Sequence, residues 1–270
     1  MASYPVPPYP AQQYPGQQYP RPSPPEEGPT SAHVRPGCWT TPIRGALAVR
    51  ALLTAVAYGA GALVLAVLAL LGVRVATGHL PGPAVSALVL MAPTYLVVPP
   101  ALWVHVLRPR GLGWADLGWR RPAHNPLHLL WQIPAVLAVG AFVSALVLLP
   151  TGGGAASDGG QDAVADLTLG GRPLAVLGLL LVAVLVPVVE ELLFRGVLLP
   201  ALRAPLTVVP GVLLCGLVFA LVHLLPPALP YLLVAGVALA AMAEWYRSVL
   251  PGMVLHGVNN ALVFVLLLGP

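Results

Sequence analysis

The sequence predicts an all-α, polytopic integral membrane protein: about seven transmembrane helices forming one bundle with an intramembrane site. Three observations lead there. Of 270 residues, 58% are apolar and 8% are charged, and the mean hydropathy is +0.85, which leaves too little polar surface for a soluble domain. From residue 51 onward the apolar runs reach ~20 residues, enough at 1.5 Å per residue to cross a ~30 Å hydrocarbon core. Three of these runs carry ionisable groups, Glu190 with Glu191, His223, and His256. Such groups are costly at membrane depth and mark sites by default.

Taken in order, residues 1–40 read as a Pro/Tyr/Gln-rich tail, with Tyr-Pro steps at Tyr4, Tyr9, Tyr14 and Tyr19 and almost no aliphatic content. A stretch of this kind cannot bury enough surface to offset its ordering entropy, so a disordered cytoplasmic tail is expected. A role as ligand for a Pro-binding partner is the functional alternative. No arginine-flanked apolar core followed by a small-residue cleavage site stands near residue 1, so no signal peptide is expected. Spans are expected near 51–73, 83–107, 126–149, 173–203, 207–225, 229–243 and 249–268. Residues 41–110 then form two N-terminal transmembrane helices and 111–270 the functional core. The sixth span is short and bounded by Pro226, Pro227, Pro230 and Glu244, which suggests a tilted or re-entrant helix.

Arginine placement sets the expected orientation. All thirteen basic residues are arginine, a usage that fits a GC-rich bacterial coding bias and gives no reason to expect a nucleic-acid surface. With the N-terminus cytoplasmic, Arg74 and Arg172 are the only arginines in outside loops, and the other eleven lie inside. The chain is therefore expected in the plasma membrane as a multi-pass protein, with its C-terminus outside. The glycine-rich loop 150–172 carries Asp158, Asp162 and Asp166, whose spacing of four lacks the alternating ligands and closing glutamate of a calcium loop. A solvated connection is the better reading. Cys38 and Cys215 show no CxxC spacing and read as a free surface thiol and a small buried apolar residue.

The chemistry concentrates in three segments. In Glu190-Glu191-Leu192-Leu193-Phe194-Arg195 helical geometry separates the carboxylates by ~100° and puts Arg195 one turn beyond Glu191, so Arg195 pairs with Glu191 and leaves Glu190 free. Residues 190 and 223 are equidistant from a turn near Pro205 and Leu206, so an antiparallel hairpin sets Glu190 against His223, ~20 Å from the level of Arg203. Phe219, one turn before His223, shares its face and walls the cavity. The last helix adds His256 and Asn260 on one face, with Asn259 beside them. Gly252 and Gly257 permit close helix approach. His256 lies nine residues past Arg247, a depth of ~14 Å that agrees only roughly with the hairpin.

In order, Glu190-Glu191-x-x-x-Arg195, Phe219-x-x-x-His223 and His256-x-x-x-Asn260 resemble the three motifs of the CPBP family, the intramembrane proteases related to type II CAAX prenyl endopeptidases and bacteriocin-processing (Abi-like) proteins. Phe194-Arg195-Gly196 and Arg247-Ser248-Val249-Leu250-Pro251 look like the family's flanking pattern, and the resemblance covers roughly residues 110–268. It implies an endopeptidase cleaving a membrane-associated peptide or protein, with Glu190 as general base, His223 orienting the water, Glu191 held by Arg195, and His256 and Asn260 donating to the oxyanion. Two mechanisms stay open: a metal-free one, and a Zn²⁺ held by His223, His256 and either Glu190 or Glu191. A catalytically silent immunity or scaffold protein of the same fold, or a proton-coupled transporter, are the competing classes. No internal repeat supports a carrier.

Overall fold

The computed structural model describes residues 41–149 and 172–267. The tail with Cys38 and the aspartate-bearing loop 150–171 lie outside the described residues. Among those described, the structure is helical throughout, and they fall in one unit. Seven rods follow in order. Helix α1 is Gly45–Thr77, and α2 is Pro83–Leu102, prolonged through Arg110 by a π turn and a 3-10 turn. Helix α3 is Leu129–Leu148, α4 the composite rod Arg172–Arg203, α5 Val208–Val222, α6 Leu229–Tyr246 and α7 Leu250–Leu267.

Five rods are long and apolar enough to cross a membrane, and the chain is a multi-pass membrane protein; α5 and α7 are shorter apolar helices. Their outer faces carry exposed Leu, Val and Phe side chains, such as Leu53, Leu65, Leu130 and Phe142. A helix apolar all round its circumference needs an apolar surrounding. The inner faces are built from small residues and branched aliphatics, with Ala51 and Ala55 of α1 buried and the main core drawn from α1, α2, α4, α5, α6 and α7.

Two expected boundaries shift. The fifth span, expected to run to 225, ends at Val222, and His223 becomes its C-terminal cap because Leu224 takes a left-handed φ of 53° ahead of the prolines. The sixth span, expected to be curtailed, is full length once the 3-10 turn Pro226–Ala228 is counted. Proline is tolerated in a first turn, where its missing N–H had no intrahelical partner. Glu244 continues the helix because its carboxylate accepts from Arg203 Nε at 2.7 Å, and the rod stops only at Arg247, with φ 52°.

Helix α4 is wound unevenly. Leu181–Leu185 and Leu192–Leu198 are π turns, as is Trp103–Leu107 after α2. Each is followed two residues later by a proline, Pro187, Pro200 and Pro109 respectively. A proline cannot donate to the carbonyl four residues back, so the ladder ahead of it slips to wider winding. Wider turns advance less per residue. The stretch from Glu190 to Arg203 is therefore shorter than an ideal α-helix, which narrows the gap between the two depth figures for Glu190 and His256.

Candidate active site

The site is built outward from the α4 glutamates. Glu191 is fully buried, and its Oε1 accepts from Arg195 Nη1 at 2.8 Å, the pairing expected from their spacing. Arg195 is itself fully buried, donates from Nη2 to Gly236 O at 3.1 Å and lies 4.4 Å from the Phe219 ring centroid. A guanidinium with a carboxylate, a carbonyl and an aromatic face around it is held in one orientation. The contact requires Gly236, since a Cβ there would stand 2.7 Å from Gly216 O across the α5–α6 crossing.

The same Glu191 Oε1 receives His256 Nδ1 at 3.1 Å, so α7 is tied to α4 through one carboxylate. Gly252, one turn earlier, permits this approach, because a Cβ at that position would stand 2.7 Å from Glu191 Oε2. His223 Nδ1 lies 2.6 Å from Phe219 O; a carbonyl oxygen can only accept, so Nδ1 is the N–H donor, and in the neutral imidazole Nε2 is then the acceptor. Phe219, 1% exposed, packs against both imidazoles at 4.6 and 5.6 Å and closes the apolar wall.

Glu190 stands between the imidazoles. Its Oε1 accepts from Tyr95 Oη of α2 at 2.8 Å. Its Oε2 has no hydrogen-bond partner among the described residues and lies 3.9 Å from His223 Nε2 and 3.8 Å from His256 Nε2. Those separations are too long for direct hydrogen bonds and within the span of one bridging water. Groups from α4, α5 and α7 thus converge on one point, with α2 contributing an unforeseen fourth. Tyr95 sits in the N-terminal helix pair, where no motif drew attention, and an interior Tyr in an apolar span was its only sequence signal.

Asn260 does not join this cluster. Its Nδ2 donates to Val182 O at 2.9 Å and its Oδ1 accepts from Asn259 Nδ2 at 3.1 Å. Gly257 meets the neighbouring carbonyl, with a hypothetical Cβ 2.5 Å from Ala183 O. Both carbonyls lie in the π turn ahead of Pro187, where regular α-helical pairing is interrupted. The last helix thus satisfies and covers backbone that the proline freed.

The flanking residues have mechanical duties. Gly196 lets α4 reach the backbone of the segment before α3, as a Cβ would stand 2.6 Å from Leu117 O. That segment holds the α6–α7 turn: Val249 N donates to Gly118 O at 3.0 Å, Ser248 Oγ to Arg120 O at 2.6 Å, and Ala123 N to Tyr246 O at 2.7 Å. The placement of His256 follows from this clamp.

In donor type, two imidazole nitrogens and a carboxylate suit zinc. Glu190 Oε2 lies 3.9 and 3.8 Å from the two Nε2 atoms, against ~3.3 Å between tetrahedral ligands at ~2.0–2.1 Å from zinc, and among the described residues no group of three or more His, Cys, Asp or Glu is gathered to hold a metal ion.

Residues 172–262, which include all of these motifs, match the family described as Type II CAAX prenyl endopeptidase Rce1-like. Over those residues the chain is similar to CPBP/CAAX-type proteases. No curated protein and no solved structure matches it. The match begins at α4 and ends within α7, so it takes in every motif-bearing helix and leaves out Tyr95.

Proposed function

We propose that this CAAX-type protein is an intramembrane endopeptidase that hydrolyses a peptide bond of a membrane-associated protein or peptide, with Glu190 as general base. One observation carries the reading: a buried carboxylate oxygen without a hydrogen-bond partner among the described residues faces two imidazole Nε2 atoms at water-bridging distance. A water between them gives one proton to Glu190 Oε2 and the other as a hydrogen bond to His223 Nε2, which the Phe219 carbonyl keeps in accepting form. The water oxygen attacks the scissile carbonyl carbon, and the carbonyl π pair moves onto oxygen. His256 donates from Nδ1 to Glu191 Oε1 and, in the doubly protonated form this step uses, from Nε2 to that oxyanion. Collapse breaks the C–N bond, and the proton held by Glu190 goes to the leaving nitrogen. Asn260, with an amide hydrogen committed to Val182 O, acts by holding α7 in register.

No step of this chemistry passes through a metal. The arginine-rich helix ends are assigned to the cytoplasmic side of a bacterial plasma membrane, which puts the C-terminus outside. The proline-rich tail is left as a candidate partner-binding segment.

Comparative terminal proteomics of cells carrying the wild type, Glu190→Gln or no copy tests the reading. New membrane-protein termini should appear with the wild type alone, while Glu190→Gln accumulates to the same level in the membrane. A Glu190→Gln strain with wild-type termini would mark a scaffold or a transporter.

A further inference from the structure

A second polar cluster lies away from the glutamates, on the outside of the α1–α2 pair. Arg50, Thr54 and Tyr58 recur at four-residue steps and so form one stripe of α1, each ~6 Å further along the axis. Across from them His105, in the π turn that prolongs α2, lies with Nε2 2.6 Å from Tyr58 Oη. Together they border a cavity of about 500 Å³ whose remaining wall includes Val49 and Leu53. Arg50 is exposed and has no hydrogen-bond or ion-pair partner among the described residues.

The stripe is out of keeping with its surroundings. The neighbouring outward positions Val49, Leu53 and Val56 are all more than half exposed, the pattern of a lipid-facing surface. An arginine and a hydrogen-bonded Tyr–His pair on such a surface are costly in hydrocarbon, and tolerable close to its edge with a polar partner. The edge is nearby: Arg50 follows Arg44 by six residues, and His105 precedes Arg108 and Arg110 on α2. Whichever tautomer His105 adopts, the Tyr58–His105 pair uses one hydrogen between its members and keeps one N–H or O–H to donate elsewhere. The notch therefore offers one fixed cation and a neutral donor at its polar end, with an aliphatic wall continuing down α1.

We propose that this notch is a binding site for an anionic phospholipid, the phosphate held by Arg50 with a donor from the Tyr58–His105 pair, and an acyl chain lying along Val49 and Leu53. A free phosphate would use Arg50 and leave the aliphatic wall without a purpose, so the lipid is the better occupant. Cation-lined notches between membrane helices are the general form of such sites. The proposal rests on the membrane-spanning fold and is independent of the peptidase reading.

The test uses the full chain purified in a non-ionic detergent, with phosphatidylglycerol, phosphatidylcholine of the same acyl chains, or inorganic phosphate added. Bound lipid is counted by native mass spectrometry, and the thermal midpoint is followed across each titration. Phosphatidylglycerol should be retained and raise the midpoint, with Arg50→Ala weakening it about tenfold, the loss expected for one charge-assisted contact. Tyr58→Phe combined with His105→Ala should weaken it as well, while Arg74→Ala, at the far end of α1, should leave it unchanged. Should Arg50→Ala fail to fold, Arg50→Gln and the Tyr58/His105 double variant carry the test. Equal binding of phosphatidylcholine, a full effect from phosphate alone, or wild-type binding by the variants overturns the proposal. So does cross-linking of two copies through position 50 with lipid excluded, which would make the notch a helix–helix contact.

Discussion

Glu190 and Glu191 are adjacent and chemically identical, yet their surroundings give them different work. Glu191 is enclosed with Arg195 and His256, and Glu190 presents one oxygen to Tyr95 and the other to the imidazoles. Removing the guanidinium leaves a fully buried carboxylate without its countercharge. Arg195→Ala should therefore cost ~3–5 kcal/mol, read as a lowered unfolding midpoint in detergent. Arg195→Lys should recover little, because an ammonium cannot reproduce the planar reach to Glu191, Gly236 and the Phe219 face. Tyr95→Phe removes one hydrogen bond to a carboxylate and should slow cleavage about tenfold while leaving expression intact, measured as the rate at which the product fragment appears. The Glu191–Arg195 pair was legible from sequence because one helical turn dictates it. Tyr95 was not, because no spacing rule links positions 95 residues apart. The face shared by His256 and Asn260 was legible too, although same-face geometry says nothing about which partner each side chain finds.

At the level of elements, helix identities were written plainly in the apolar runs, and their winding was written in the prolines. Pro187 and Pro200 bracket the glutamates, and each follows a π turn. Reading them only as kinks misses that the freed carbonyls become docking points for α7. The end of α5 was hard to foresee, because the apolar run continues through Leu224 and Leu225 while the backbone turns left-handed there. Equal distance from the hairpin turn did bring Glu190 to His223, since antiparallel helices share depth whether or not the last residue is helical. Close backbone contact makes two glycines sensitive. Gly236→Ala drives a methyl into Gly216 O and should cost ~1–3 kcal/mol in thermal unfolding. Gly257→Leu should separate α7 from the π turn and abolish cleavage through misplacement of His256, with a cross-link between α4 and α7 cysteines falling in parallel.

For the molecule as a whole, composition established the membrane setting and the helical class without any motif, since apolar exteriors and small-residue interiors are consequences of an apolar solvent. The meeting of three helices at one point depends on the clamp of residues 113–123 against the α6–α7 turn, which no periodicity announces. The metal question also belongs at this scale. Prolonged dialysis against a chelator should leave cleavage by purified protein unchanged, and a loss reversed by zinc alone would contradict the metal-free chemistry. The most direct measurement is single-turnover cleavage of an identified substrate in proteoliposomes made up in ¹⁸O-labelled water. Wild-type protein should place one labelled oxygen in the new carboxyl terminus, and Glu190→Gln should yield at least ~10²-fold less product. Undiminished cleavage by Glu190→Gln, or product without the label, would contradict the account.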